Sequence, residues 1–144
     1  MTTSITGNGT SSFGGEVTGT GFTGTLDGVL GGGTAAAATF LNYTESVVAV
    51  GNSGTAKTLS LANGTVQTVT MTGNCTFTMP ATTAGMSFTL IADTGDGDFT
   101  GAFTSVKWPA NTAPTLTTTA SRWDILAFIS DGSYWYGSYI QAFA

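Results

Sequence analysis

From Thr68 to Met79 the chain alternates without a break. Val69, Met71, Gly73, Cys75, Phe77 and Met79 fall on one side, and Thr68, Thr70, Thr72, Asn74, Thr76 and Thr78 on the other. A helix would scatter these two sets around its axis, whereas successive side chains of a strand point to opposite faces. The stretch therefore predicts one long strand with a buried and a wet face. Pro80, which has no N–H to donate to a ladder, ends it.

The rest of the chain reads in the same period. Ser46–Val50 is apolar and meets Gly51-Asn52-Ser53-Gly54, so a strand stops there. Thr58–Leu61 alternates and runs into Asn63-Gly64, the strongest short signal for a hairpin turn. Met86–Ile91 is a further strand, and Phe99–Val106 another with Gly101 as an interruption. Trp108-Pro109 to Pro114 is a loop stiffened at two prolines, which also restrict the residues before them. Ile125–Ile129 is an unbroken apolar run, followed by the turn residues Ser130–Ser133 and by Tyr134-Trp135-Tyr136-Gly137. That order predicts a hairpin of two strands, Trp123–Ile129 and Tyr134–Tyr139. All three tryptophans lie between Val106 and Tyr139, so the core is expected to centre there. In the last strand both faces are aromatic, as in a strand central to a sandwich or at a subunit interface.

These elements predict an all-β protein: a small β-sandwich or jelly-roll-like domain of about eight short strands. Residues 1–33 are expected to form an extended Gly/Thr-rich N-terminal arm, residues 34–64 a hinge and the first strands, and residues 65–144 the sandwich domain. In the arm Phe13, Val17, Phe22, Leu26, Val29 and Leu30 stand apart among Gly, Thr and Ser. A plain flexible linker has no use for such residues. The favoured reading is a docking arm whose single apolar side chains drop into pockets of a neighbouring chain.

Composition bounds the function. Only 8% of the residues are charged, against a usual value of about 25%. A nearly uncharged free monomer tends to associate, which points to an oligomer or larger assembly. The three bases, Lys57, Lys107 and Arg122, are too few for a patch that tracks phosphates, so neither nucleic acid nor an anionic membrane is an expected partner. No apolar run approaches the ~20 residues that span a bilayer. Met1–Thr6 has neither a basic nor an apolar leader segment, and synthesis in a cytosol is the expectation. The chain has no histidine and one cysteine. The commonest general base, the His-dependent triads and the usual zinc sites are therefore absent. Cys75 falls on the apolar side of its strand and reads as a small core residue rather than a reactive thiol.

Two features remain open to chemistry. Asp93, Asp96 and Asp98 form the single acidic cluster. It reads as a turn, with a Ca²⁺ loop as the lesser alternative, because its spacing matches no known calcium motif. A carboxylate pair such as Asp96 and Asp98 is a weak basis for glycoside hydrolysis. Trp108, Tyr134, Trp135, Tyr136 and Tyr139 are the aromatic candidates for stacking on sugar rings. The competing reading makes them core or interface residues. No cofactor is expected and no catalytic or metal-binding residue is assigned.

The pattern Phe103-x-x-Val106-x-Trp108-Pro109, then Pro114-x-Leu116, then Asp124-Ile125-Leu126-x-Phe128-x-Ser130-Asp131-Gly132-x-x-Trp135-Tyr136-Gly137 resembles a C-terminal β-domain of tailed-bacteriophage virion proteins. Capsid decoration and tail-fibre proteins carry such domains. The resemblance spans roughly residues 65–142 and does not reach the arm. It implies a small, commonly trimeric β-sandwich that supplies binding surface and no catalysis. The expectation is thus a homotrimeric decoration (cement) protein on a phage capsid surface, made in the host cytoplasm and gripping the major capsid protein. The alternative is a module of a short tail fibre or spike that binds host-surface glycans.

Overall fold

The computed structural model describes residues 42–144, and the six arm residues singled out above lie outside them. Residues 42–144 form one compact unit. Nine strands build it: β1 (Val47–Asn52), β2 (Ala56–Thr58), β3 (Val66–Thr70), β4 (Cys75–Thr78), β5 (Ser87–Asp93), β6 (Gly101–Phe103), β7 (Val106–Lys107), β8 (Trp123–Ser130) and β9 (Trp135–Phe143). Among the described residues the only helical pieces are short 3₁₀ turns at Leu61–Asn63 and Pro109–Asn111. The expected small all-β domain is what the chain forms.

The strands divide into a six-stranded sheet, ordered β1-β3-β5-β8-β9-β7, and a three-stranded sheet, ordered β2-β4-β6. From β1 to β6 the chain alternates between the two sheets. Each successive strand lies parallel to the one two places earlier. The first half is therefore a coil of three turns, each turn giving one strand to each sheet. Parallel neighbours need a crossover, and here the opposite sheet is the crossover. After the coil, β8 pairs antiparallel with β5 and β9 antiparallel with β8. This hairpin is the one expected over Trp123–Tyr139.

Two local expectations are corrected by the coil. The alternating run Thr68–Met79 is not one strand. It is β3 and β4, in different sheets, with a corner at Met71–Asn74. The alternation survives the corner because both strands face the same core: Val69, Met71, Cys75, Phe77 and Met79 are all buried. Asn63-Gly64 does not close a hairpin, since β2 pairs with β4 and β3 with β1 and β5. Instead the Ser60 side chain caps a 3₁₀ turn there and Gly64 donates to Leu61. Buried Gln67 fixes this corner by donating Nε2 to the carbonyls of Ser60 (2.8 Å) and Gly64 (2.9 Å). Likewise Phe99–Val106 is not a single strand, but β6 in the small sheet and the start of β7 in the large one.

Corners stack as the strands do. Ser53 N–H donates to Thr70 O and Met71 N–H to Asp93 O, both at 2.8 Å. The ladder of the large sheet thus continues round the bend, which pairs these backbone groups as the chain leaves the sheet. Between the sheets lies a core of aliphatic and aromatic side chains with Phe88 at its centre. Phe88 stacks on Phe128 at 4.7 Å and meets the edge of Trp135 at 5.2 Å. Phe77 stacks on Phe103 at 4.9 Å below them. Offset and edge-on pairs of this kind add to the burial of their area.

Candidate functional site

The hairpin β8–β9 divides its aromatics between core and surface. Trp135 faces inward, is fully buried, and donates Nε1–H to Pro80 O at 2.9 Å. It is corrected here from a candidate sugar platform to a core residue. The strand pleat turns Tyr136 to the opposite, outer face, where it is 44% exposed. Trp108 is half-buried and presses edge-on against Phe103, Phe128 and Tyr139. It reaches this position because Gly137 leaves space. A Cβ on Gly137 would collide with the six-membered ring of Trp108.

These placements bring three of the five aromatic candidates into one notch of ≈ 380 Å³, lined by Lys107, Trp108, Pro109, Tyr134, Tyr136 and Gly137. Trp135 lies beneath it in the core, and Tyr139 packs on the far edge of Trp108. Two groups missed by the sequence reading act here, Lys107 in the lining and Asp131 bracing Tyr136 from outside it. Lys107 places Nζ 4.5 Å from the centre of the Tyr134 ring, a cation–π contact that orients that ring. Asp131 accepts from the N–H groups of Ser133 (2.7 Å) and Tyr134 (2.8 Å) with one oxygen. Its other oxygen accepts from the Tyr136 hydroxyl at 2.9 Å. The backbone N–H donors of Tyr134 and Ser133, then the phenol, hold this carboxyl below its ordinary range. The same carboxylate pushes the Tyr136 phenol above its own. Lys107 was legible only as a scattered base, because nothing local shows that β7 sets Lys107 beside Tyr136.

The second surface is the outer face of the large sheet. Strand register sets its side chains in rows across β1, β3, β5, β8 and β9. Ser87, Ile129 and Tyr136 form one row, and Val47, Val66, Thr89, Ala127 and Ser138 the next. Ala49, Thr68, Ile91, Ile125 and Ile140 form the third, and Thr70, Asp93, Trp123 and Phe143 the last. Phe143 reaches the outer face through a bulge at Ala142, whose φ is 62°. Asp93 is the one charged side chain within these rows, and its carboxylate already accepts from Gly95 N–H at 2.9 Å; Lys107 on the edge strand β7 continues the first row beyond Tyr136. Ile129, Ile140 and Val47 are more than half exposed.

The remaining candidates have structural explanations. Asp96 and Asp98 are exposed on the turn that carries Gly95 and Gly97. Gly97 has φ 84° and packs so closely on the Thr118 carbonyl that no side chain fits. Among the described residues no three metal-ligating side chains come together. Cys75 is buried, and burial pushes its thiol up from the ordinary value despite the opposing charge of Lys57. The buried carboxylate in this part of the fold is Asp124. It accepts from Thr117 N–H and Oγ1–H (both 2.7 Å), Ala142 N–H (2.9 Å) and Gln141 Nε2 (3.3 Å). It ties the 115–117 segment to the end of β9 and is fully occupied in doing so.

Compared with models of known families, with characterised proteins and with solved structures, the chain finds no match.

Proposed function

We propose that this chain is a structural protein of a tailed-phage virion that works by binding: a homotrimeric decoration protein on the capsid surface that bridges neighbouring capsid subunits. The observation that carries the reading is the apolar, nearly charge-free outer face of the large sheet. Large exposed apolar surfaces mark interaction sites in soluble proteins. The sequence pattern through Trp108-Pro109 and Asp131-Gly132 to Trp135-Tyr136-Gly137 supports the viral context by resemblance. A protein that binds only assembled shells stabilises them by mass action. Arms carrying Phe13, Val17, Phe22, Leu26, Val29 and Leu30 would add avidity through several small contacts.

The test is location. Virions labelled with a gold-conjugated antibody against this chain should carry gold over the whole head. Gold confined to the tail end overturns the decoration reading. Deletion of residues 1–33 should abolish attachment to heads, and a truncated chain that still coats them removes the arm from the mechanism.

A second reading, a glycan-binding module of a tail fibre or spike, is favoured by the aromatic notch. Tyr134, Tyr136 and Trp108 offer ring faces to the C–H face of a sugar, with Lys107 and Asp131 beside them for its hydroxyls. It predicts that Tyr134→Ala lowers binding to host cells without changing the fold.

A further inference from the structure

The outer face of the large sheet has a relief that its exposure values alone do not convey. Small residues, Ala127 and Ser138, run between two bulky rows, Ile129–Tyr136 on one side and Ile125–Ile140 on the other. Hollows of ≈ 350 Å³ and ≈ 280 Å³ open over this trough, and both are lined by Ala127 and Ser138. Each bulky row is a ridge about as wide as the trough beside it, because rows on one face repeat at every second residue. A surface of that kind is complementary to itself.

From this relief we propose that the face packs against the same face of a second copy of the chain, the Ile129 or Ile140 ridge of one copy seated in the Ala127–Ser138 trough of the other. The proposal rests on reading this face as an assembly surface and names its partner; same-face pairing is two-fold, so it joins chains in pairs and is a contact distinct from the three-fold one of the proposed trimer. Two further observations favour a second copy over a charged partner. The middle of the face, Ile125, Ala127 and Ile129 with Ser138 and Ile140, carries no charge, and the charged groups Lys107, Asp131, Glu45 and Asp93 stand at its margins. Ridge and trough of two copies therefore meet over an uncharged middle, with the charged groups left at the rim. The exposed apolar area is close to what a stable interface needs. Val47, Trp123, Ile129, Tyr136, Ile140 and Phe143 are each 40–66% exposed. With about 150–250 Å² per large side chain they leave on the order of 600 Å², which approaches the roughly 800 Å² per partner of a stable interface. Face-to-face sheets interdigitate at about 10 Å, the depth such ridges need.

The experiment uses the full chain. Light scattering after gel filtration is expected to give an even number of chains for the native protein and half that mass for Ala127→Arg, a change on an exposed position away from the core. The dissociation constant should rise by at least about a hundredfold, as expected for a charge left unpaired in a dry interface. Ser138→Cys supplies a readout that survives if the arginine variant fails to fold. Its new thiol should react with a maleimide several-fold more slowly in the oligomer than after dilution to monomers, while the native Cys75 stays buried. A monomeric native chain overturns the proposal. So does an oligomer in which the Ser138→Cys thiol reacts freely, or one that Ala127→Arg leaves intact. Virion labelling is independent of these results. A monomer that coats heads removes self-pairing and keeps the virion reading, and an oligomer paired through this face but absent from virions does the reverse.

Discussion

Trp135 shows how far a single residue's role depends on its facing. Adjacent aromatics on β9 differ only in which side of the pleat they occupy, yet Trp135 is sealed in the core and Tyr136 is on the surface. Trp135→Ala is therefore expected to cost about 3–5 kcal/mol of stability, as large buried truncations do, and to be read by urea denaturation. Binding lost in that variant would be lost with the fold, so Tyr134→Ala is the informative change at the notch. Asp124 is the converse case of a charge held by structure. Asparagine keeps the shape but turns an NH₂ toward the donors of Thr117 and Ala142. Asp124→Asn should destabilise by about 1–3 kcal/mol, the cost of leaving buried groups unsatisfied, measured by the shift of the denaturation midpoint. Gly137→Ala pushes a methyl into the Trp108 ring. It should cost about 1–3 kcal/mol by overpacking and alter tryptophan emission as the notch rearranges.

At the scale of the element, the β8–β9 hairpin depends on Asp131. Its carboxylate gathers the turn's N–H groups and the Tyr136 hydroxyl, and so titrates below its unfolded value. The support it lends the turn is complete above the ordinary aspartate range, about pH 4, and is lost as pH falls through the lower folded value. An NMR titration should find the Asp131 midpoint below the usual range and the Tyr136 midpoint above it. Asp131→Ala should return Tyr136 toward its ordinary value, and an unchanged Tyr136 would break the link between them. This hairpin was readable because its signals are local: an apolar run, a Gly-containing turn and an aromatic run. The Asn63-Gly64 turn carried an equally strong local signal and formed no hairpin. There the neighbouring strands found better partners one turn of the coil away, and closing a loop of some twenty residues instead of two costs about 2 kcal/mol, which the burial of those strands offsets.

For the molecule as a whole, the coil and the hairpin share one core. Leu59, which follows β2, belongs with Phe77 of β4 and Leu126 of β8 to one cluster of buried residues. A chain of residues 42–144 alone is therefore expected to melt in a single cooperative transition by calorimetry. Two separate transitions would show that coil and hairpin are independent units. The edge strands of the described unit are β1 and β7 in the large sheet and β2 and β6 in the small one, and edges are where a sheet leaves backbone unpaired. Its broad apolar face, by contrast, spans β1, β3, β5, β8 and β9 and exists only when all five are in register.

What the sequence determined by itself is the strand period, and with it the side of each strand that is buried. The alternation from Val69 to Met79 marked core residues correctly even where it ran across a corner, because pleating is a property of each residue and its immediate neighbours. The tertiary structure alone decided which strands are partners, that the first six wind in parallel, and that Lys107 and Asp131 stand beside Tyr134 and Tyr136. Those outcomes depend on residues far apart in the chain competing for the same core, a contest that no local pattern records.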